Sequence, residues 1–150
     1  MNIRKAQKGD AEQIGALAES GGLFPASMLG DFFDPDGDAL WLVAENGTLA
    51  GFTYVIPEPM AENVWNMLAL GVAPVAQRSG VGRALVSEVT GMLETRGVRL
   101  LIVETSSGPE QEGAQAFYPA QGFHAEGKVR NFYAVGEDKL TFTRTLSALS

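Results

Sequence analysis

Residues 70–85 read Leu-Gly-Val-Ala-Pro-Val-Ala-Gln-Arg-Ser-Gly-Val-Gly-Arg-Ala-Leu, and this stretch decides the fold. An apolar run ends here, and a short connection leads through Gly80 and Gly82 into a helix. Glycines at this spacing let the main chain approach a ligand closely, and the N–H groups of a first helical turn carry partial positive charge. Arg78 and Arg83 are the first basic residues after 69 positions without any. The pattern predicts a phosphate-binding loop over 77–83, with a glycine-rich turn that holds no ligand as the alternative.

Two common phosphate motifs are excluded by the same residues. No Gly-Lys-Ser/Thr follows the glycines, so the loop is not that of a nucleotide hydrolase. The third glycine of a dinucleotide-binding fingerprint is missing, and the unit lies in the middle of the chain. Nucleotide hydrolysis and hydride transfer therefore lose support.

The segments around the loop predict a parallel βαβ unit. Strand Val64–Val72, helix Gly80–Arg96 and strand Val98–Glu104 follow each other, and such a crossover is right-handed. The last strand is almost continuously apolar, which is typical of a strand that is covered on both faces.

Hairpins and helices are predicted on both sides of this unit. Asp10 is the expected N-cap of the first helix, with Gln13 at capping-box spacing, and Asn46-Gly47 is a strong hairpin signal. The other expected segments are strand Asn2–Ala6, a short helix from Pro25 to Phe33, strands Ala39–Glu45 and Thr48–Ile56, a helix from Pro109 that ends at Gly122, and strands Phe123–Phe132 and Lys139–Leu146. The order βααβββαβαββ predicts an α+β fold around a mixed sheet.

Length and composition restrict the class of protein. A chain of 150 residues predicts one domain, 1–150. The formal charge is −7, and there is no cysteine. We therefore expect no disulfide, no thiolate metal site, no nucleic-acid or membrane partner, and a cytoplasmic location. No metal site is predicted.

Two motifs resemble a known family. Gln77-Arg78-Ser79-Gly80-Val81-Gly82 resembles the Arg/Gln-x-x-Gly-x-Gly/Ala signature of the GNAT superfamily of acyl-CoA-dependent N-acyltransferases. The segment 114–123, Ala-Gln-Ala-Phe-Tyr-Pro-Ala-Gln-Gly-Phe, resembles that family's second motif. The order of elements also matches, so the resemblance covers nearly the whole chain.

The resemblance implies acetyl-CoA as acyl donor and a set of residues that hold it. Main-chain groups of the strand before the loop would hold the pantetheine arm, and the loop amides would hold the pyrophosphate. Gln111 falls where many relatives carry an asparagine that faces the cofactor. The implied cofactor residues are Leu70, Gly71, Val72, Gln77, Arg78, Ser79, Gly80, Val81, Gly82, Arg83, Gln111 and Phe117.

Acyl transfer to an amine needs proton transfers, and two residues are candidates. Tyr118 matches the tyrosine that many family members use as general acid toward the leaving thiolate; a core aromatic is the alternative. Glu104 is the last residue of a buried strand and lies on the same face as Leu100 and Ile102. An unpaired carboxylate at such a position is costly. A general base, acting directly or through water, and a salt-bridged or turn-capping carboxylate remain equal alternatives for Glu104.

The acceptor pocket in this family is usually lined by the first two helices and the strand 64–72. That implies Phe24, Phe33, Trp65 and Asn66, with Leu23, Phe32 and Tyr133 as further candidates. Each aromatic is also a plausible core residue, whereas Asn66 is an amide that needs hydrogen-bond partners in an apolar strand.

The charge is unevenly distributed along the chain. Ten acidic and no basic residues lie between Gly9 and Gln77, and the basic residues resume at the loop. This uneven charge has two interpretations. The acidic half of the chain could steer a cationic acceptor toward the protein, or it could be a solvated face that serves solubility. The predicted function is that of an N-acetyltransferase acting on a primary amine of a small molecule or peptide. A homodimer is one possible oligomeric state. The alternative function is a non-catalytic acyl-CoA-binding or sensing module.

Overall fold

A computed structural model describes residues 1–146 of the chain, as a mixed β-sheet flanked by helices. The strands run in the order β1-β2-β3-β4-β5-β7-β6, with β4 and β5 parallel. This architecture confirms the predicted α+β class. The elements are β1 (Asn2–Lys5), α1 (Ala11–Ser20), β2 (Leu40–Asn46), β3 (Thr48–Pro57), β4 (Val64–Val72), α2 (Val81–Thr95), β5 (Leu100–Ser106), α3 (Glu112–Ala120), β6 (His124–Ala134) and β7 (Glu137–Thr145).

The chain divides into two compact units. The first unit comprises Met1–Ile56 and Leu68–Gly91, and the second comprises Pro57–Met67 and the chain from Met92 onward. β4 and α2 each contribute residues to both. The single domain 1–150 stays a prediction, and its last four residues lie outside the described part of the chain.

The core of the first unit is built from α1 and the hairpin of β2 and β3. Ile14 and Ala18, four residues apart on one face of α1, are fully buried, as are Val43 and Phe52. Asn46-Gly47 forms the predicted turn, with Gly47 at φ +80°, a conformation that costs glycine little. The hairpin prediction is therefore confirmed.

Gly51 allows the start of α2 to pack closely on the sheet. A Cβ at this position would lie 2.9 Å from the carbonyl oxygen of Gly71 and 2.9 Å from a methyl group of Val81. Real Cβ atoms essentially never approach backbone so closely. The absence of a side chain at Gly51 thus fixes where the helix after the glycine-rich loop begins.

Two predictions in the first unit are wrong in detail. The Asp10 side chain does not cap α1; it accepts hydrogen bonds from the Arg4 guanidinium at 2.8 and 3.0 Å and from the Gln7 amide at 2.7 Å. Gln13 accepts from the amide of Leu49 instead of completing a capping box. The charge of Arg4 is the stronger attraction for a nearly buried carboxylate.

The helix expected from Pro25 to Phe33 is a 3-10 helix over Ala26–Asp31. The amide of Phe32 donates to the carbonyl of Leu29, three residues back. The tighter 3-10 turn suits short connections such as this one.

Acid should destabilise the fold through Asp10. The hydrogen bonds from Arg4 hold the pKa of Asp10 below its ordinary 3.8, against the effect of burial. This contribution is therefore fully present above pH 3.8 and is lost as pH falls through the lower folded-state pKa. We expect Asp10→Asn to lower the free energy of unfolding at pH 7 by about 1.5–3 kcal/mol. Urea unfolding at a series of pH values should show the gap between the two proteins closing on acidification; a gap independent of pH would contradict this origin.

The end of α2 explains why β5 starts later than predicted. Gly97 has φ +79°, and the amide of Val98 donates back to the carbonyl of Leu93. This bond pattern closes the helix and uses Val98 in its C-terminus, so β5 begins at Leu100 instead of Val98. Leu101, Val103 and Thr105 are buried and the alternate residues are half-buried, so both faces of β5 are covered, one more fully than the other.

The remaining elements follow the predicted order. α3 contains Pro119 in its last turn and ends at Ala120, and Gly122 takes φ +86°. β6 and β7 form an antiparallel pair, and β7 also pairs with β5. Within residues 1–146, no helix is long and apolar enough to cross a membrane.

Candidate active site

The loop before α2 has the geometry of an anion-binding turn. Arg78 and Gly80 both have positive φ, at 65° and 89°, and α2 starts at Val81. The first intrahelical bond runs from the amide of Ala84 to the carbonyl of Gly80 at 3.0 Å. The amides of the first turn, 81–83, precede that bond and have no partner inside the helix. They form a set of donors at the positive end of the helix dipole.

The loop arginines are available to a ligand. Arg78 and Arg83 are both exposed, and neither takes part in an ion pair among the residues that the structure describes. The Ser79 hydroxyl donates to the carbonyl of Ala76 and so shapes the turn. Two exposed cations next to unpartnered amides favour a polyanion such as a pyrophosphate.

The second half of β4 offers a strand edge. The parallel ladder with β5 joins Val64–Met67 to Leu100–Val103 and ends there. From Leu68 to Val72, β4 has no ladder on that side within the described residues. Leu70 and Val72, which the resemblance assigns to the pantetheine arm, lie in this segment. Their backbone groups can therefore pair with an extended ligand.

An apolar cavity lies within the first unit. Its volume is about 280 Å³, and it is lined by Phe24, Met28, Phe32, Tyr54, Leu68 and Ala69. Tyr54 stacks on Trp41 with ring centroids 4.0 Å apart, which fixes one wall. Phe24, a predicted acceptor residue, lines this cavity; Phe33 instead packs edge-on against Trp41 and does not line it.

Trp65 and Asn66 cannot line the same pocket, which corrects one expectation. Successive residues of a strand point to opposite faces. The Trp65 ring lies under the guanidinium of Arg96 at 5.5 Å, and Asn66 is 4% exposed on the other face. Of the two, Asn66 is the one that meets another predicted site residue.

Asn66 and Glu104 are brought together in the second unit. The Asn66 Nδ2 donates to Glu104 Oε1 at 3.0 Å and to Glu58 Oε1 at 3.0 Å. On its other oxygen, Glu104 forms an ion pair with Lys139 at 2.6 Å. Glu104 is thus salt-bridged, as one of the two alternatives expects, and its role as a general base stays a prediction.

The partners of Glu104 keep it ionised. Burial by itself raises the pKa of Glu104, but the hydrogen bonds from Lys139 and Asn66 and the charge of Lys139 outweigh it, and the pKa lies below its ordinary value. The same contact raises the pKa of Lys139. The pKa of Tyr133 is also raised. Burial is the larger cause, and the negative charge of Glu104 is the second.

Tyr118 is held in an aromatic cluster of the second unit. Its ring packs edge-on against Phe117 at 5.2 Å and Phe123 at 5.5 Å, and it is 6% exposed. Burial raises the pKa of Tyr118 well above its ordinary value, so the phenol carries its proton at neutral pH. Such a group can donate a proton but does not act as a base.

The two remaining residues that the resemblance assigns to the cofactor lie in or next to α3. Gln111 is half-buried directly before α3, and Phe117 is half-buried within it. Both belong to the second unit, as do Glu104 and Tyr118, whereas the loop 77–83 belongs to the first.

Sequence reasoning missed Glu58 and Lys139. Lys139 is paired with Ser106, and Glu104 with Thr141, in the antiparallel ladder of β5 and β7, so Lys139 is a diagonal neighbour of Glu104. That register depends on which strands pair, and no local pattern reveals it. Glu58 lies between Pro57 and Pro59, where the sequence shows only the end of a strand.

Comparison with known proteins identifies the family. Residues 8–123 match the model of the acetyltransferase (GNAT) family. The chain belongs to this family. A solved structure from Desulfovibrio desulfuricans, described as a putative acetyltransferase of the GNAT family, superposes with a TM-score of 0.86 at 30% identity and covers 96% of this chain and 98% of that one.

Curated relatives match over part of their length. A mycothiol acetyltransferase of Beutenbergia cavernae is 36% identical over 95 residues, which cover 61% of this chain and 30% of that protein. The [ribosomal protein bS18]-alanine N-acetyltransferase of Escherichia coli is 32% identical over 91 residues, which cover 61% of this chain and 58% of that protein. The matches therefore span less than two thirds of either relative.

Proposed function

We propose that this protein transfers an acetyl group from acetyl-CoA to a primary amine, by direct attack of the amine in a ternary complex. The observation that carries the proposal is the loop 77–83. The first-turn amides of α2 have no partner inside the helix, and the neighbouring Arg78 and Arg83 form no ion pair within residues 1–146. Membership of the acetyltransferase family supports it. The family match also includes residues of both compact units, which supports one functional domain.

The residues present fit acetyl-CoA, whose thioester would supply the activated acetyl group. The amides of Val81, Gly82 and Arg83 would hold the pyrophosphate, with Arg78 as a further cation. Backbone groups of Leu70 and Val72 would hold the pantetheine arm along the free edge of β4. The remaining proposed contacts are Gln111, directly before α3, and Phe117, within α3.

The proposed chemistry uses two side chains of the second unit. The neutral amine nitrogen attacks the thioester carbonyl, the C–N bond forms, and the C–S bond breaks. Attack makes the nitrogen positive, and Glu104 takes its proton, directly or through water. Tyr118 gives its proton to the departing thiolate. Both side chains hold the required protonation state at neutral pH.

The dependence of kcat/KM on pH should follow the acceptor amine. An alkylamine has a pKa of about 10.4, so about 10^−3.4 of it is neutral at pH 7. Because the pKa of Glu104 is below its ordinary 4.5 and that of Tyr118 is above 10, neither group titrates between pH 6 and 9. We expect log kcat/KM to rise over this range with a slope near one. A bell-shaped profile centred near pH 7 would contradict these roles.

The acceptor is proposed to be a small molecule or a peptide that carries a primary amine. The names of the two curated relatives refer to mycothiol and to the alanine of a ribosomal protein, which supports this range. A cytoplasmic location and a homodimer remain proposals. A panel of amines assayed for release of the CoA thiol tests the activity, and amine-independent release alone would contradict it.

A further inference from the structure

Glu58 is a partly buried carboxylate at the start of the β3–β4 connection. It is half-buried at the end of β3, and its Oε1 accepts from Asn66 Nδ2 at 3.0 Å. No basic side chain forms an ion pair with it within the described residues. Glu58 also lies in the stretch of 69 residues that contains no lysine or arginine.

Glu104 is the neighbour of Glu58, and the negative charge of Glu104 is already compensated by Lys139. Both carboxylates accept from the same Asn66 nitrogen, so their oxygens are close together. Among the residues that the structure describes, Lys139 forms an ion pair with Glu104 and none with Glu58. The group of two carboxylates and one ammonium therefore keeps one negative charge, located at Glu58.

The side-chain oxygen of Asn66 is an independent indication that this group can accept a hydrogen bond from a further donor. The Asn66 side chain is 4% exposed, and its Oδ1 is buried with no hydrogen-bond partner among residues 1–146. The orientation of the amide is fixed, because exchanging oxygen and nitrogen would turn an acceptor toward two carboxylates. A buried acceptor without a donor is unfavourable, and an ammonium group has three donors.

We infer that Glu58 and Asn66 form a subsite for a second cationic group of the acceptor, so that the preferred substrate class is a short diamine or an equivalent dication. This inference rests on the proposed acetyl transfer. The reacting nitrogen would meet Glu104, while the second, protonated nitrogen binds between Glu58 and Asn66 Oδ1. The closeness of the two carboxylates suits a short spacer between the two nitrogens.

The test compares 1,4-diaminobutane with butylamine as acceptors. The two share the reacting amine and the chain length and differ in the second charge. We expect the wild-type protein to favour the diamine in kcat/KM by about tenfold or more, since a hydrogen bond to a charged group is worth that ratio. Glu58→Gln keeps an oxygen that accepts from Asn66 and removes only the charge. In this variant the ratio should fall to near one.

Glu62→Gln is the matched control. Glu62 is exposed in the same β3–β4 connection, and the contact that it makes with Arg99 uses its backbone carbonyl. Removing its charge should leave the preference for the diamine unchanged. An equal ratio in wild type and Glu58→Gln, or an equal loss of activity toward both amines, would overturn the inference.

The two proposals fail in different ways. If the protein acetylates other amines but shows no preference for the diamine, the subsite is wrong and the acetyltransferase activity stands. If no amine accelerates CoA release and calorimetry detects no CoA binding, the proposed function fails, and the subsite fails with it.

Discussion

Replacing Tyr118 by phenylalanine should lower kcat about a hundredfold or more while leaving the affinity for CoA unchanged. The hydroxyl is the only part of the side chain that the substitution removes. The ring contacts with Phe117, Phe123 and Phe142 are kept, so the aromatic cluster should stay packed. The raised pKa of Tyr118 keeps the proton on the phenol, where it is available to the leaving thiolate.

The measurement is a steady-state assay of thiol release, with CoA binding by calorimetry and the melting temperature recorded on the same variant. If Tyr118→Phe binds CoA normally and turns over at the wild-type rate, Tyr118 is a core aromatic and has no part in the chemistry. A large fall in melting temperature would instead assign the loss to packing.

Phe52→Ala should produce the largest loss of stability, about 3–5 kcal/mol. Phe52 is fully buried in the first unit and has ring neighbours in Phe24 and Trp41, each at 6.4 Å between centroids. Its ring also lies so close to Gly71 that a Cβ there would be 2.6 Å from Cε1. Truncation would therefore leave a void beneath the β4 segment that is proposed to bind pantetheine.

Urea unfolding measures this effect, with Phe52→Leu as a milder variant that retains most of the apolar volume. We expect the leucine protein to lie between wild type and the alanine protein in unfolding free energy. A loss below 1 kcal/mol for Phe52→Ala would mean that the first unit does not depend on this ring.

The sequence predicted those parts of the fold that local patterns determine. The bounds of β4 were predicted correctly, since an apolar run there ends before a proline. The start of α2 followed from Gly80-Val81-Gly82, and the β2–β3 hairpin from Asn46-Gly47. In each case the residues that specify the structure are adjacent in the chain.

Predictions failed where a distant residue competes with a local one. Asp10 has the position of an N-cap, but Arg4 binds its carboxylate. The start of β5 moved because Val98 closes the helix before it. In the candidate site, the link from Asn66 to Glu104 was not predicted, because it depends on the register of the parallel pairing of β4 with β5, in which Asn66 lies opposite Ile102. Glu58 joins this group from the β3–β4 connection and Lys139 from β7, and only the folded sheet brings them there.

The most direct test of the account is whether acetyl-CoA and an amine together release free CoA. A thiol assay should be run with acetyl-CoA and a panel of diamines, amino acids, aminoglycosides and peptide N-termini, with the acetylated amine identified by mass spectrometry. The account predicts CoA release that saturates with at least one amine and yields one acetyl group on that amine for each CoA. Tight binding of CoA with no amine in the panel becoming acetylated would contradict it and would favour a binding or sensing module.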